Sequence, residues 1–272
     1  ARQDPIGPRV LIRHVDTQAR QVAVIFTAGA TAGASVGKIP ISLPVLSDAF
    51  GMSLFQASLT ISFFLLAAML VGTGGGMLAD RFGQRRVMIL GLVISALGGF
   101  IGAASTSAAT LLASRALESI GFIATVLPGP ALLTRLVAPR RLRPVMGLWA
   151  CYMPFGMSLM LVLCPWLLES IGWRAIWVLI ALLSLAVAGL VWRFVPPDAT
   201  GGPPVRALAL VRQTVTSARP WLLAASFGFY AGQWMSVFGF LPTLYAEEGV
   251  STARAGLLTA LGALLPFLAV AA

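Results

Sequence analysis

Charged residues are scarce in this sequence: only 10% of its 272 residues are Asp, Glu, Lys or Arg, whereas soluble domains have about 25%. Hydrophobic residues make up 58% of the chain, and the mean hydropathy is +0.90. Such a chain has too few polar side chains to cover a water-facing surface. The composition therefore excludes an ordinary soluble enzyme, a disordered protein and a nucleic-acid-binding module.

The residues that build metal and nucleophilic sites are also few. His14 is the only histidine, and the two cysteines, Cys151 and Cys164, share one apolar stretch. Their spacing on a helix is about 20 Å, which is too far for a disulfide. No nucleophile–base pair and no phosphate-binding Walker A loop occurs. We therefore predict no enzyme activity, no metal and no cofactor.

Long apolar runs, by contrast, fill the chain. A helix needs about 20 apolar residues to cross a bilayer. Seven runs of this kind are followed by the start of an eighth, and they lie at 22–46, 54–79, 87–104, 111–137, 144–168, 173–195, 220–245 and from 255. This pattern predicts an all-α polytopic membrane protein. Because the sequence starts without Met and stops within an apolar run, we expect a fragment of a longer protein.

The basic residues are distributed unevenly between the predicted loops. If the N-terminus is cytoplasmic, 15 of the 19 basic residues fall on the cytoplasmic side. Only Arg174 and Arg254 fall on the opposite side, while Lys38 and Arg115 lie within spans. This asymmetry follows the positive-inside rule and predicts a cytoplasmic N-terminus. It also explains the net charge of +10 without a nucleic-acid partner.

An internal repeat predicts the domain organisation. Residues 43–59 match residues 241–257 without a gap at seven positions, including a Leu-Pro pair and Gly-x-Ser. Parallel duplication of six-helix halves is a known transporter plan. We predict a cytoplasmic tail at 1–20, a six-helix N-terminal bundle at 21–195 and a cytoplasmic connector at 196–219. Residues 220–272 would then be the first two helices of a truncated C-terminal six-helix bundle.

The loop after the second predicted span carries a specific motif. It reads Gly76-Met-Leu-Ala-Asp80-Arg81-Phe-Gly83-Gln-Arg85-Arg86, and it resembles the signature loop G-x-x-x-D-R-x-G-x-R-R of the major facilitator superfamily. Gln84 stands where many members have a base. The resemblance covers the whole chain and implies the major facilitator fold and a secondary transporter that works by alternating access.

The same resemblance implies that this loop is a gating latch on the cytoplasmic side. Its residues would be Gly76, Asp80, Arg81, Gly83, Arg85 and Arg86. The two glycines allow close helix approach and a turn with positive φ. Asp80 can accept bonds from a helix N-terminus or a neighbouring arginine. The alternative is a solvated loop that only obeys the positive-inside rule.

Lys38 is the only lysine, and it lies within the first predicted span. A basic residue at the centre of a membrane helix costs about 2.5–3.5 kcal/mol on insertion scales. Lys38 is therefore either a substrate-binding cation or a lysine that snorkels to the outer face. Gly29, Gly33 and Gly37 precede it on one helix face and predict close packing there.

Arg115 and Glu118 lie on one face of the fourth span, three residues apart. Many facilitators have an arginine near this point with a glycine six residues later, as Gly121 is here. Glu118 is the acid that lies clearly inside a span. We expect it to be the proton-coupling group, with a permanently neutralised structural pair as the alternative.

Three further residues are candidates for lining a substrate cavity. Tyr152 lies in the fifth span, and Gln233 and Trp234 form a polar and aromatic pair in the seventh. Packing is the alternative for these residues. The tryptophans near span ends fit an interfacial belt: Trp173, Trp177, Trp192 and Trp221.

For the substrate, the sequence resembles the cyanate permease and nitroimidazole transporter branch. The resemblance rests on Gly37-Lys38-x-Pro40 with Leu43-Pro44 and on the segment 147–154, Gly-Leu-Trp-x-x-Tyr-Met-Pro. It implies a permease of the bacterial inner membrane for a small anion such as cyanate. Lys38 and Arg115 suit such an anion electrostatically and are both predicted to bind it. The partners would be that small-molecule substrate and the lipid bilayer, with no nucleic acid and no required oligomer. The alternatives are a drug/proton antiporter and a membrane scaffold or sensor that does not transport.

Overall fold

The structure, a computed structural model, describes residues 8–62, 79–198 and 215–271, with side chains described between 17 and 264 in these ranges. Within them the regular secondary structure is helical and no strand occurs, which confirms the all-α prediction. The main helices are α1 (Pro8–Phe50), α2 (Gln84–Ala103), α3 (Ala108–Val126), α4 (Gly129–Leu136), α5 (Pro139–Ala150), α6 (Tyr152–Phe194), α7 (Ala218–Glu247) and α8 (Thr252–Ala271). Residues 54–62 and 79–82 are also helical.

Four stretches of the described chain are long and apolar enough to cross a membrane: Thr17–Phe50, Gln84–Ala103, Ala108–Leu136 and Pro139–Phe194. The last contains the fifth and sixth predicted spans, which are separated inside α6 by Gly172 in a non-helical conformation with φ +76°. The helix α7 is not one of the four, and Thr252–Leu264 is a shorter apolar helix. Residues 63–78 of the second predicted span and 199–214 of the connector lie outside the described residues.

The domain boundaries stay predictions. The first helix begins at Pro8, so the second half of the predicted 1–20 tail is helical. The fourth and fifth predicted spans each consist of two helices, because the chain turns at residues 127–128 and again at Cys151.

Glycines bring α1 and the first part of α6 into backbone contact, as the sequence predicts. A Cβ atom at Gly37 would lie 2.7 Å from the carbonyl oxygen of Met157, and one at Gly33 would lie 3.0 Å from that of Met153. From the other side, a Cβ at Gly156 would collide with the backbone of Ala30. Larger residues at these positions would force the helices apart, and the glycines thereby hold the segment that carries Lys38 against α6.

The internal repeat extends to the backbone. The turn after α1 has Gly51 at φ +57°, and the turn after α7 has Gly249 at φ +77°. In the first turn the Met52 amide donates a hydrogen bond to the carbonyl of Ser47. The equivalent residues 198 positions later make the same bond, from the Val250 amide to the carbonyl of Tyr245. Glycine is favoured at both turns because other residues avoid positive φ.

Candidate functional site

Three charged side chains meet in the interior of the helix bundle. The Lys38 ammonium of α1 donates to Oε1 of Glu118 on α3 at 2.6 Å. Arg115, one turn before Glu118, donates through Nη1 to the other carboxylate oxygen, Oε2. None of the three side chains exposes more than 1% of its surface. We call these three residues the ion cluster.

Two consecutive glycines of α2 allow close packing at the ion cluster, Gly98 against α3 and Gly99 against both α6 and the Glu118 carboxylate. A Cβ at Gly98 would lie 2.8 Å from Cγ of Glu118, and one at Gly99 would lie 3.5 Å from Oε1. The start of α3 is fixed by a capping box in which Ser107 and Thr110 bond each other's backbone amides. The carboxylate of Glu118 is therefore held between α1, α2 and the side chain of Arg115.

Backbone carbonyls and an aromatic ring complete the surroundings of the two cations. Arg115 donates through Nε to the Thr60 carbonyl at 3.4 Å and through Nη1 to the Ser35 carbonyl at 3.5 Å. The Lys38 ammonium lies 4.3 Å from the centroid of the Trp177 ring, within the range of a cation–π contact. The carbonyl of Lys38 lies 3.7 Å from the thiol of Cys164.

The geometry excludes one of the two alternatives for Lys38 and leaves substrate binding a prediction. Its side chain is fully buried and paired with Glu118, so the alternative of a lysine that snorkels to the outer face is wrong. Removing one partner of a buried ion pair destabilises a protein by about 3–5 kcal/mol, because the other charge is then left buried and unpaired. With Glu118 ionised, the three formal charges sum to one positive charge, and the predicted Arg115–Glu118 contact is present.

A small cavity adjoins the ion cluster where α1, α6 and α7 approach each other. Its volume is about 10 Å³, which is the space of a single water molecule. The cavity is lined by Val36, Ile39, Pro40, Ile61, Arg115, Met157, Met235 and Gly239. Since α7 follows the connector, this cavity lies between the predicted N-terminal bundle and the start of the predicted C-terminal one.

The other predicted substrate residues lie apart from the ion cluster. Tyr152 is half-buried, stacks on Trp149 with 4.6 Å between ring centroids, and packs against Gly29. Trp234 is half-buried against Phe238, with ring centroids 4.8 Å apart, and Gln233 is exposed. None of these three lines the cavity beside Arg115, so any role in substrate binding stays a prediction.

The signature loop is described from Ala79 onward, and Gly76 lies outside the described residues. Gly83 has φ +98° and precedes α2, as the motif predicts. Asp80 is exposed and accepts a bond from the Gln84 side-chain amide at 2.9 Å. Arg81 and Arg86 are exposed, and Arg85 donates to the carbonyl of Trp192 at the end of α6. The latch function of the loop stays a prediction.

Asp198 is a charged group at this end of the bundle that the sequence analysis did not single out. Its carboxylate accepts the backbone amide of Arg85 at 3.0 Å, and it pairs with Arg135 of α4 at 2.8 Å. A Cβ at Gly83 would collide with this carboxylate. The acid thus satisfies the first turn of α2 and complements its dipole. Its position after Pro196 and Pro197, next to an arginine-rich end, is a signal that could have identified it.

The interfacial-belt prediction is wrong for two of the four tryptophans and stays a prediction for the other two. Trp192 and Trp221 are 67% and 60% exposed. Trp177 is fully buried and Trp173 nearly so, because they follow the kink at Gly172 on the face of α6 that packs inward. Trp177 therefore belongs to the surroundings of the ion cluster.

The fold and the motif agree with similarity to known proteins. The chain is 29% identical over 240 residues to the cyanate transport protein CynX of Escherichia coli strain K12, covering 84% of this chain and 58% of that protein. It is 28% identical over 242 residues to the inner membrane transport protein YajR of the same strain, covering 83% of this chain and 52% of that protein. It thus spans somewhat more than half the length of these relatives.

Among solved structures, a bacterial homolog of the human lysosomal transporter Spinster in an inward-facing, unoccupied conformation has a similar fold. The TM-score is 0.71 at 19% identity, over 92% of this chain and 60% of that one. The sequence matches the family profile described as Major Facilitator Superfamily over residues 25–272. The chain therefore belongs to the major facilitator superfamily.

Proposed function

We propose that this chain is part of a secondary active transporter that carries a small monovalent anion, such as cyanate, by alternating access. The observation that supports it best is the buried ion cluster, in which two cations share one carboxylate. We place the protein in a bacterial inner membrane with its N-terminus on the cytoplasmic side, in accord with the arginine distribution.

The charge of the ion cluster favours an anionic substrate. Lys38, Arg115 and an ionised Glu118 together carry a net formal charge of +1 in a dry environment, where electrostatic interactions are strong. A positive charge in such an environment attracts an anion, whereas a cation would be repelled. Arg115 also lines the cavity between α1, α6 and α7, which lies at the contact between the two predicted bundles.

Opening of the ion cluster is the proposed coupling step. The cavity of about 10 Å³ beside Arg115 has room for about one water molecule, and in this proposal the anion takes the place of a group that is already there. Glu118 is the group that pairs with both cations. Its protonation would weaken both ion pairs, and a monovalent anion that binds in its place would restore the net formal charge of +1. One proton and one anion would then enter together, which is the proposed proton coupling.

The similarity to the cyanate transport protein CynX supports the choice of substrate. A drug/proton antiporter is the second candidate, because an exposed aromatic surface on α7, including Phe227 and Tyr230, could contribute to a large cavity. The net positive ion cluster disfavours the cationic substrates of such a protein. A scaffold or sensor that does not transport is the third candidate, and substrate-dependent uptake would exclude it.

The test is uptake of labelled cyanate by the full-length protein in proteoliposomes with an imposed inward proton gradient. We expect the wild-type protein to accumulate cyanate and Lys38→Gln to lose this uptake while it still folds. Arg254→Gln, which removes an exposed basic residue, is the control and should transport normally. Absence of uptake by the wild-type protein, or normal uptake by Lys38→Gln, would overturn the anion-carrier proposal and favour the antiporter.

A further inference from the structure

Trp177 covers the Lys38 ammonium inside the helix bundle. The ammonium lies 4.3 Å from the centroid of the Trp177 ring, and both side chains are fully buried. The same ammonium donates to Glu118. Lys38 therefore has two contacts of different chemistry, one with a carboxylate that can be protonated and one with an aromatic face that cannot.

The indole of Trp177 contributes its face rather than its N–H group. Its buried Nε1 has no hydrogen-bond partner within the part of the chain that the structure describes. Buried tryptophans normally find an acceptor for this group, and a buried donor without one is unfavourable. A tryptophan at this position is therefore explained by what its ring contacts, and the ammonium of Lys38 lies within cation–π distance of it.

The ring is fixed in place from two sides. Gly102 of α2 leaves the space for its edge, since a Cβ at Gly102 would lie 2.6 Å from Cδ1 and 2.8 Å from Nε1 of Trp177. Trp173 packs against it edge-to-face, with ring centroids 5.6 Å apart and an interplanar angle of 86°. A ring held in this way cannot follow Glu118 if that side chain moves.

We propose that Trp177 is a positioning residue of the anion site: it keeps the Lys38 ammonium charged and in place when the anion replaces Glu118. The inference rests on the proposed function. In the closed cluster the ammonium is held by Glu118 and the ring together. Once the carboxylate is neutral, the ring face is the fixed group that still favours the charged form at that point. An aliphatic side chain would fill the space without this attraction.

The test compares three substitutions by the kinetics of cyanate uptake in the full-length protein. We expect Trp177→Leu to raise KM for cyanate by about tenfold or more, with kcat changed by less than about threefold, because a desolvated cation–π contact is lost. Trp177→Phe keeps an aromatic face without the N–H and should stay within about threefold of wild type in KM. Trp166→Leu removes an exposed tryptophan from the same helix and is the control.

A second variant tests the same inference in case the Trp177→Leu protein does not fold. Gly102→Ala moves the ring without removing it and should raise KM in the same way, whereas Gly189→Ala, which has open space around it, should not. A wild-type KM in Trp177→Leu, or a Trp177→Phe protein as impaired as Trp177→Leu, would overturn the inference and leave the proposed function intact. Absence of cyanate uptake by the wild-type protein would instead overturn the proposed function, and this inference with it.

Discussion

Lys38 and Glu118 are 80 residues apart in the chain, and their charged groups meet at 2.6 Å in the bundle interior. The second oxygen of the same carboxylate accepts a hydrogen bond from Arg115. A single acid therefore balances two buried cations that lie on different helices. The protonation state of Glu118 therefore changes the electrostatic environment of both cations at once.

The stability of the ion cluster should depend on which charge is removed. Lys38→Met leaves Glu118 paired with Arg115 and the cluster neutral, so we expect a loss of about 1–2 kcal/mol. Glu118→Gln removes the carboxylate that both buried cations contact, so we expect a loss of about 3–5 kcal/mol. Thermal unfolding in detergent measures the stability of the two variants and shows which of them loses more. A Glu118→Gln protein as stable as Lys38→Met would show that Glu118 does not carry a charge in the folded protein.

Close packing of α2 against α3 should make Gly98 intolerant of a side chain. Gly98→Ala places a methyl group 2.8 Å from the backbone nitrogen and Cγ of Glu118, and we expect a loss of about 1–3 kcal/mol from overpacking. Gly189→Ala on α6 has open space and should be neutral or stabilising by up to about 1 kcal/mol. Thermal unfolding of both variants checks this, and equal stability of the two would contradict the packing described.

Asp198 should matter more than Asp80 for the stability of this end of the bundle. Asp198→Ala removes the acceptor of the Arg85 amide and the partner of Arg135, and we expect a loss of about 1–2 kcal/mol. Asp80→Ala removes an exposed contact with Gln84, for which we expect less than about 0.5 kcal/mol. The comparison is made by thermal unfolding at low salt. The reverse order would contradict this assignment and favour Asp80 as the structural acid.

The sequence predicted well those features that depend on local pattern. The helical class follows from composition and run length, and the Arg115–Glu118 contact follows from their spacing on one helix. The glycines of α1 predicted its close packing, because small residues at every fourth position form one smooth face. Positive φ at Gly83 followed from its place in the loop motif.

Features that depend on contacts between distant elements could not be predicted from the sequence. Nothing in the sequence around Lys38 indicates that its partner is Glu118, since the contact requires α1 and α3 to pack with these two residues at the same level along their axes. The position of Trp177 near a predicted span end predicts an interfacial residue, but the side chain lies in the interior after the kink at Gly172. The local sequence around Asp198 marks it as a candidate but does not indicate its partners, which come from α2 and α4, far away in the sequence.

The most direct test of the shared role of Glu118 is the proton uptake that accompanies anion binding. Cyanate is added to the purified full-length protein in a weakly buffered solution with a pH indicator. The account predicts that the wild-type protein takes up close to one proton for each anion bound, and that Glu118→Gln binds the anion with no proton uptake. Anion binding by the wild-type protein without proton uptake, or unchanged proton uptake in Glu118→Gln, would contradict it.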